Sequence, residues 1–159
     1  MNIIFERYNT FIVSRYRLED QDLLITVIDT VCGERKWMHT ARFKATPRWA
    51  HALSHPECPD HLLMVPRVEG RPIGWCRVFP TDAPKEAELG LGLLPPYRNQ
   101  GLGTCLIQHA MTWAEHRGLS RLKLTTRRDN RRAIHVFKKY SFTKFEICDT
   151  MWMVMIHDL

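Results

Sequence analysis

The sequence predicts an α/β domain: a mixed, mostly antiparallel central sheet of about seven strands with flanking helices. Short apolar runs bounded by glycine or proline recur along the chain, as strands between turns do. Two stretches, around residues 18–31 and 102–116, instead carry their apolar residues at helical spacing. A glycine-rich turn joins an apolar run ending at Leu94 to the second of these helices. The chain has 159 residues, 45% of them hydrophobic, which suits one domain over 1–159 with a proper core and little else.

Taken in order, residues 11–17 alternate enough for a first strand. Leu18-Glu19-Asp20-Gln21 then starts a helix whose Leu23, Leu24, Val27, Ile28 and Val31 share helical spacing. Residues 36–53 form a weaker helical region interrupted at Pro47. Segments 61–68 and 72–79 flank Glu69-Gly70-Arg71 and read as a hairpin. Residues 86–94 make the fourth strand, ended by Pro95-Pro96. Leu102, Leu106, Ala110, Trp113 and Ala114 form one helical face, closed by Gly118 as a C-terminal cap. A fifth strand follows at 121–126 and a last helix at 134–140. Segments 142–147 and 151–157 close the fold as a hairpin through a short turn at Cys148-Asp149.

The link between the fourth strand and its helix carries the functional signal. Arg98-Asn99-Gln100-Gly101-Leu102-Gly103-Thr104 opens a helix whose first N–H groups lack intrahelical partners and whose dipole favours an anion there. Gly101 and Gly103 let the backbone approach phosphate oxygens closely, and Thr104 adds a hydroxyl. A P-loop is excluded because no lysine follows the glycines. A dinucleotide fingerprint is disfavoured because no third small residue follows the two glycines at its spacing, and the nearest acidic candidate lies in Arg127-Arg128-Asp129-Asn130. Taken alone, the short pattern also suits an ordinary helix N-terminus with a glycine-rich lead.

Composition narrows the class. No apolar run approaches the ~18 residues of a membrane span. Residues 1–7 lack the basic start, apolar centre and cleavage site of a secretory signal. Cys32, Cys58, Cys76, Cys105 and Cys148 are odd in number, widely spaced and without a Cys-x-x-Cys pair, which suits reduced thiols and a cytoplasmic location. The net charge of +6 is modest and no nucleic-acid-binding module is visible, so neither nucleic acid nor membrane is an expected partner.

After the fifth strand comes Asn130-x-x-Ala133-Ile134-x-x-Phe137-x-x-x-Ser141-Phe142. Together with Arg98-x-x-Gly101-x-Gly103 and in this order, it resembles the two signatures of the GNAT superfamily of acyl-CoA-dependent N-acyltransferases, over roughly residues 60–157. The resemblance implies a GNAT-like domain whose fourth and fifth strands splay apart to admit the pantetheine arm of acetyl-CoA. It implies cofactor contacts from Leu91, Gly92 and Leu93 on the fourth strand. Arg98, Asn99, Gln100, Gly101, Leu102, Gly103 and Thr104 would contact the pyrophosphate, with Asn130 and Phe137 beyond. Gly90 and Gly92 suit a bulge or a close backbone approach, or else a strand that merely tolerates glycine. The arginines at 127, 128, 131 and 132 suit the phosphates of CoA or a solvated face.

Acetyl transfer to an amine needs a deprotonated amine, a polarised thioester and a proton for the departing thiolate. In the family a carboxylate on the fourth strand acts through water as general base. Glu88 holds such a place, alternation putting Glu86 and Gly90 on its face; it also suits a surface or structural carboxylate. The family's general acid is a tyrosine of the second signature, replaced here by Phe137. Tyr140, about one turn along, is the alternative hydroxyl, or a packed helix-end aromatic. The preferred reading is that water or the attacking ammonium protonates the thiolate while Phe137 walls the acyl group. Ser141 in place of the usual glycine bears on the turn.

His51, His55, Cys58 and His61 have metal-compatible chemistry. Pro56 and Pro59 nevertheless suggest a loop with exposed histidines, and no metal is expected. Trp37, His39, Trp49 and Trp75 suit acceptor-pocket walls or core. The expectation is an N-acetyltransferase acting on an unidentified primary amine, small molecule or protein, by direct transfer in a ternary complex. The alternative is a noncatalytic acyl-CoA-sensing module that binds a partner protein. A homodimer is common in the family, and no residue here establishes it.

Overall fold

The structure, a computed structural model, describes residues 4–8 and 10–159. Its elements are β1 (Ile4–Tyr8), β2 (Phe11–Arg15), α1 (Gln21–Gly33), α2 (Pro47–Ser54), β3 (Leu62–Val68), β4 (Arg71–Pro72) and β5 (Gly74–Pro80). There follow β6 (Glu86–Leu93), α3 (Leu102–His116), β7 (Arg121–Arg127), α4 (Arg131–Lys139), β8 (Thr143–Ile147) and β9 (Trp152–Asp158). The strands form one sheet in the order β1-β2-β3-β5-β6-β7-β9-β8, with β4 paired to β3. The seven expected strands are all present. The additions are β4, a two-residue extension of the hairpin, and β1, whose Ile-Phe-Glu-Arg-Tyr sequence lacks the alternation that marks a half-buried strand.

The expected helix over 36–53 is shorter. Residues 36–46 are irregular, and Pro47 begins α2 instead of interrupting a longer helix. A proline fits the first helical turn, where its missing N–H costs nothing, and disfavours helical backbone at the residue before it. Thr46 completes the start by accepting a hydrogen bond from the Trp49 amide at 3.3 Å. The last helix begins at Arg131, earlier than expected, because the Asn130 side chain caps it through the Ala133 amide.

All neighbouring strands are antiparallel except β6 and β7. A parallel pair needs a long crossover, which α3 supplies. Only Glu86–Glu88 pair with Arg121–Lys123; beyond them the two strands separate, each still held by its other neighbour. These are the expected fourth and fifth strands, and they splay.

Two apolar clusters fix the layers. On one face α3 places Leu102, Leu106, Ile107 and Ala110 against Ala87, Leu89, Leu122 and Leu124, with Phe137 and Phe142. On the other, α1 and α2 place Leu24, Ile28, Val31 and Leu53 against Leu63, Val65, Trp75 and Phe79. A buried ion pair lies beside the second cluster. Arg67 on β3 donates to both carboxylate oxygens of Asp20, to the Ser14 hydroxyl at 2.9 Å and to the Arg15 carbonyl at 3.2 Å. His61, expected in an exposed loop, is only 3% exposed. Burial, reinforced by the His51 and Arg15 charges, pushes its imidazole down to about 4, so it is neutral at pH 7.

Candidate active site

The glycine-rich link folds as a nest of backbone amides. Asn99 and Gly101 have φ of 65° and 85°, the left-handed region that turns successive N–H groups to one side. Gly101 sits at the N-cap of α3, whose first-turn amides at Leu102, Gly103 and Thr104 have no helical carbonyl to bond. A Cβ on Gly103 would meet nothing nearer than Leu91 Cδ1 at 3.9 Å. The protein's own packing therefore does not require a glycine there, whereas a phosphate seated on the nest would.

The side chains of this link point to structural tasks. Arg98 donates from Nε to the Leu93 carbonyl at 2.9 Å and forms a two-pronged pair with Glu34 at the end of α1. The Arg98 hydrogen bonds, more than offsetting the burial, hold the Glu34 carboxyl below its ordinary value. Gln100 folds back to the Pro96 carbonyl at 2.9 Å. Arg98 and Gln100 thus lock the nest in shape through partners within the protein. Of the downstream arginines, Arg127 is held by Asp129 at 2.8 Å and Arg128 reaches toward the Asp149 and Thr150 carbonyls, while Arg131 and Arg132 are exposed on α4.

Where β6 and β7 part, a cavity of about 440 Å³ runs through the sheet. Its waist is Glu88 to Leu91 on one strand and Leu124 to Thr126 on the other. Toward α4 it meets Asn130, Ala133 and Phe137. Toward α1 and α2 it meets Trp37, His39, Phe43, Trp49 and Trp75. The tryptophans and histidine that suited either core or acceptor walls do line it, Trp75 being core as well. His39 packs edge-on against Trp152, tying the 36–46 connection to β9. Thr125, Thr126, Cys32 and Trp152 also line the cavity. They belong to no motif, and only the topology brings them together.

No bulge interrupts β6, whose register with β5 is continuous from Ala87 to Leu93. Its glycines answer close approach instead. A Cβ on Gly92 would fall directly into the Trp75 ring, and one on Gly90 would sit 2.9 Å from Arg77 Nε. Each glycine faces that residue in the cross-strand register. Leu91 reaches the cavity, while Gly92 lies behind Trp75 and Leu93 turns toward α3.

Glu88 lines the cavity and accepts a 2.7 Å hydrogen bond from Arg77 Nη2. Both residues also line an open cleft of about 390 Å³ on the outer side. Phe137 contributes its ring to the cavity wall and packs against Phe142. Tyr140 caps the end of α4, packs on the core and does not line the cavity.

These features match known proteins. Residues 28–142 match the acetyltransferase (GNAT) family. The probable N-acetyltransferase san of Drosophila melanogaster is 36% identical over 77 residues, a stretch covering 47% of this chain and 40% of that protein. The chain thus spans less than half the length of this curated relative. A GNAT-family acetyltransferase from Streptococcus pneumoniae has the same fold, with a TM-score of 0.80 at 17% identity, covering 94% of this chain and 99% of that one. The PaiA N-acetyltransferase of Thermoplasma acidophilum, solved in complex with coenzyme A, superposes with a TM-score of 0.73, also at 17% identity and with coverage of 94% and 99%. With the family signature spanning most of the sheet and the helices that frame its gap, the chain belongs to the GNAT acetyltransferase family.

Proposed function

We propose that the protein transfers an acetyl group from acetyl-CoA to a primary amine by direct transfer in a ternary complex. The observation that carries this reading is the β6–β7 gap. On the α4 side it is lined by Asn130, Ala133 and Phe137 and by Leu91, which lies against Gly103 of the amide nest, and on the α1–α2 side it widens into an aromatic chamber. Two reactants would therefore meet in the gap from opposite faces of the sheet.

The residues suit coenzyme A. Main-chain amides of Leu102, Gly103 and Thr104, with the turns at Asn99 and Gly101, would hold the pyrophosphate. The edge of β6 from Leu89 to Leu91, without a partner across the gap, would pair with the pantetheine amides and orient the thioester. Glu88 draws the proton from the incoming amine, directly or through one water, and Arg77 fixes its carboxylate. The outer cleft gives that proton a route to solvent. The departing thiolate takes a proton from water or from the ammonium, with Phe137 as a wall beside the acyl group. Five cysteines outside disulfides suit a cytoplasmic location.

Titration calorimetry with acetyl-CoA, followed by thiol release against a broad amine panel, tests the reading. Binding that is lost in Gly101→Glu, with turnover on at least one amine, is expected. Absence of binding by the folded wild type overturns the cofactor assignment; binding without transfer to any amine overturns the enzymatic one in favour of an acyl-CoA sensor.

A further inference from the structure

The connection between α2 and β3 gathers ligand chemistry remote from the phosphate nest. His51 on α2, Cys58 in the connection and His61 at the entry to β3 each present a ligand atom, and the three atoms lie within 4.8 Å of one another. Four-coordinate zinc with nitrogen and sulfur ligands holds those atoms about 3.3–3.6 Å apart, given Zn–N near 2.0–2.1 Å and Zn–S near 2.3 Å. Side-chain rotation of about an ångström would close the present arrangement to that geometry. A second observation points the same way. His61 is buried, and its Nε2 is one of two buried side-chain nitrogens among the described residues with no hydrogen-bond partner. A buried imidazole nitrogen without a partner is costly, and a metal ion relieves that cost where the surroundings supply further ligands. His61 packs edge-on against His51 at 5.6 Å between centroids, and His55 stacks on the other ring at 4.5 Å.

We propose that His51, Cys58 and His61 form a zinc site that clips α2 to β3, with water in the fourth position. A mixed imidazole–thiolate set suits a borderline ion and disfavours magnesium or calcium, which take oxygen ligands. The clip closes the connection running from the end of α2 through Pro56 and Pro59 into β3. It also reaches toward the cavity, since α2 carries Trp49, whose ring packs on Phe79 at 5.0 Å, and Phe79 in turn contacts His61. The site is a positioning element for the aromatic wall, separate from the acyl-transfer chemistry.

The test uses the full chain, with thiols reduced, titrated with Zn²⁺ and separately with Co²⁺. One equivalent should bind, with tetrahedral ligand-field bands and a thiolate-to-cobalt charge-transfer band, and Zn²⁺ should raise the melting temperature reversibly against EDTA. Because His61 is buried and its replacement endangers folding, the variants are Cys58→Ser and His51→Ala at more exposed positions. Each should weaken binding by about a hundredfold or more, since even outer partners of a metal site are worth 10–100-fold. Cys148→Ser, which removes an exposed thiol elsewhere, should bind like the wild type. No saturable binding by the wild type, or one-equivalent binding retained in either Cys58→Ser or His51→Ala, overturns the proposal.

Discussion

Arg77 reaches diagonally across the β5–β6 pair and donates to Glu88 at 2.7 Å, at the point where β6 loses its partner on the other side. The pair is partly exposed, 21% for Arg77 and 35% for Glu88, so water can reach the carboxylate. Replacing Glu88 by Gln keeps shape and hydrogen bonding but removes the proposed proton acceptor. Turnover should fall by about a hundredfold, the lower range for a positioned proton acceptor. Acetyl-CoA affinity measured by calorimetry should stay at the wild-type value. An unchanged kcat would remove Glu88 from the chemistry.

Gly103 separates ligand binding from folding. It lies in the first turn of α3, and a methyl group there meets only Leu91 at ordinary contact distance. Gly103→Ala should therefore leave stability equal or raise it by up to ~1 kcal/mol, as helix propensity favours alanine. It should nevertheless weaken acetyl-CoA binding, because the methyl group would stand where the proposed phosphate approaches the amides. Thermal melting and calorimetry on the same sample check both halves.

The two aromatic residues of α4 should behave differently. Phe137 lines the cavity and Tyr140 does not. Tyr140→Phe should leave kcat within about twofold of the wild type, the scale of a change that touches no reacting atom. A loss of about a hundredfold, the range of general-acid catalysis, would make Tyr140 the proton donor.

The fold could be read from the sequence where local pattern and global role coincide. The amphipathic spacing of α3, the glycine link before it and the alternating strands each state their own conformation. One part of the candidate site was legible for the same reason: the amide nest is local, so its residues stand together in the chain. The far walls are not. Thr125, Thr126 and Trp152 meet Trp37 and Trp49 only after β7 has paired with β9 and separated from β6. Arg98 shows the converse. The motif marks it as a phosphate ligand, and the fold also gives its guanidinium a partner that no local pattern shows, Glu34, 64 residues away.

Asp20 and Arg67 give the fold a defined acid response. Burial raises the Asp20 carboxyl, but hydrogen bonds from Arg67 and the Arg17 amide, with both arginine charges, outweigh it and leave a net lowered value. The native state thus releases this proton more readily than the unfolded chain. The resulting stability is present above the unfolded value near pH 3.9 and is lost as pH falls through the folded one. Asp20→Asn leaves Arg67 buried without its counter-charge and should cost about 3–5 kcal/mol at pH 7. In urea unfolding, the gap between wild type and variant should narrow as pH drops below about 4. A constant gap would assign the loss to packing.

Helices α3 and α4 end with the same hydrogen-bond pattern and different residues at its strained position. After α3, Gly118 has φ of 70°, its amide donating to Glu115 and the Leu119 amide to Ala114. After α4, Ser141 has φ of 69°, its amide donating to Lys138 and the Phe142 amide to Phe137. A side chain in left-handed backbone costs about 1–2 kcal/mol, while glycine loses about 0.5–1 kcal/mol more entropy on folding. Ser141→Gly should therefore stabilise by about 0.5–1 kcal/mol, raising Tm by roughly 2 °C in a domain of this size. The contact from His157 is to the Ser141 carbonyl and survives the change. Gly118→Ser is the mirror experiment: a Cβ there meets nothing within 4 Å, so only backbone strain opposes it. It should destabilise by about the amount that Ser141→Gly gains, within the 0.5–1 kcal/mol range. Melting curves for both variants and their combination check the pair, and shifts of the same sign would show that something other than the left-handed turn controls these helix ends.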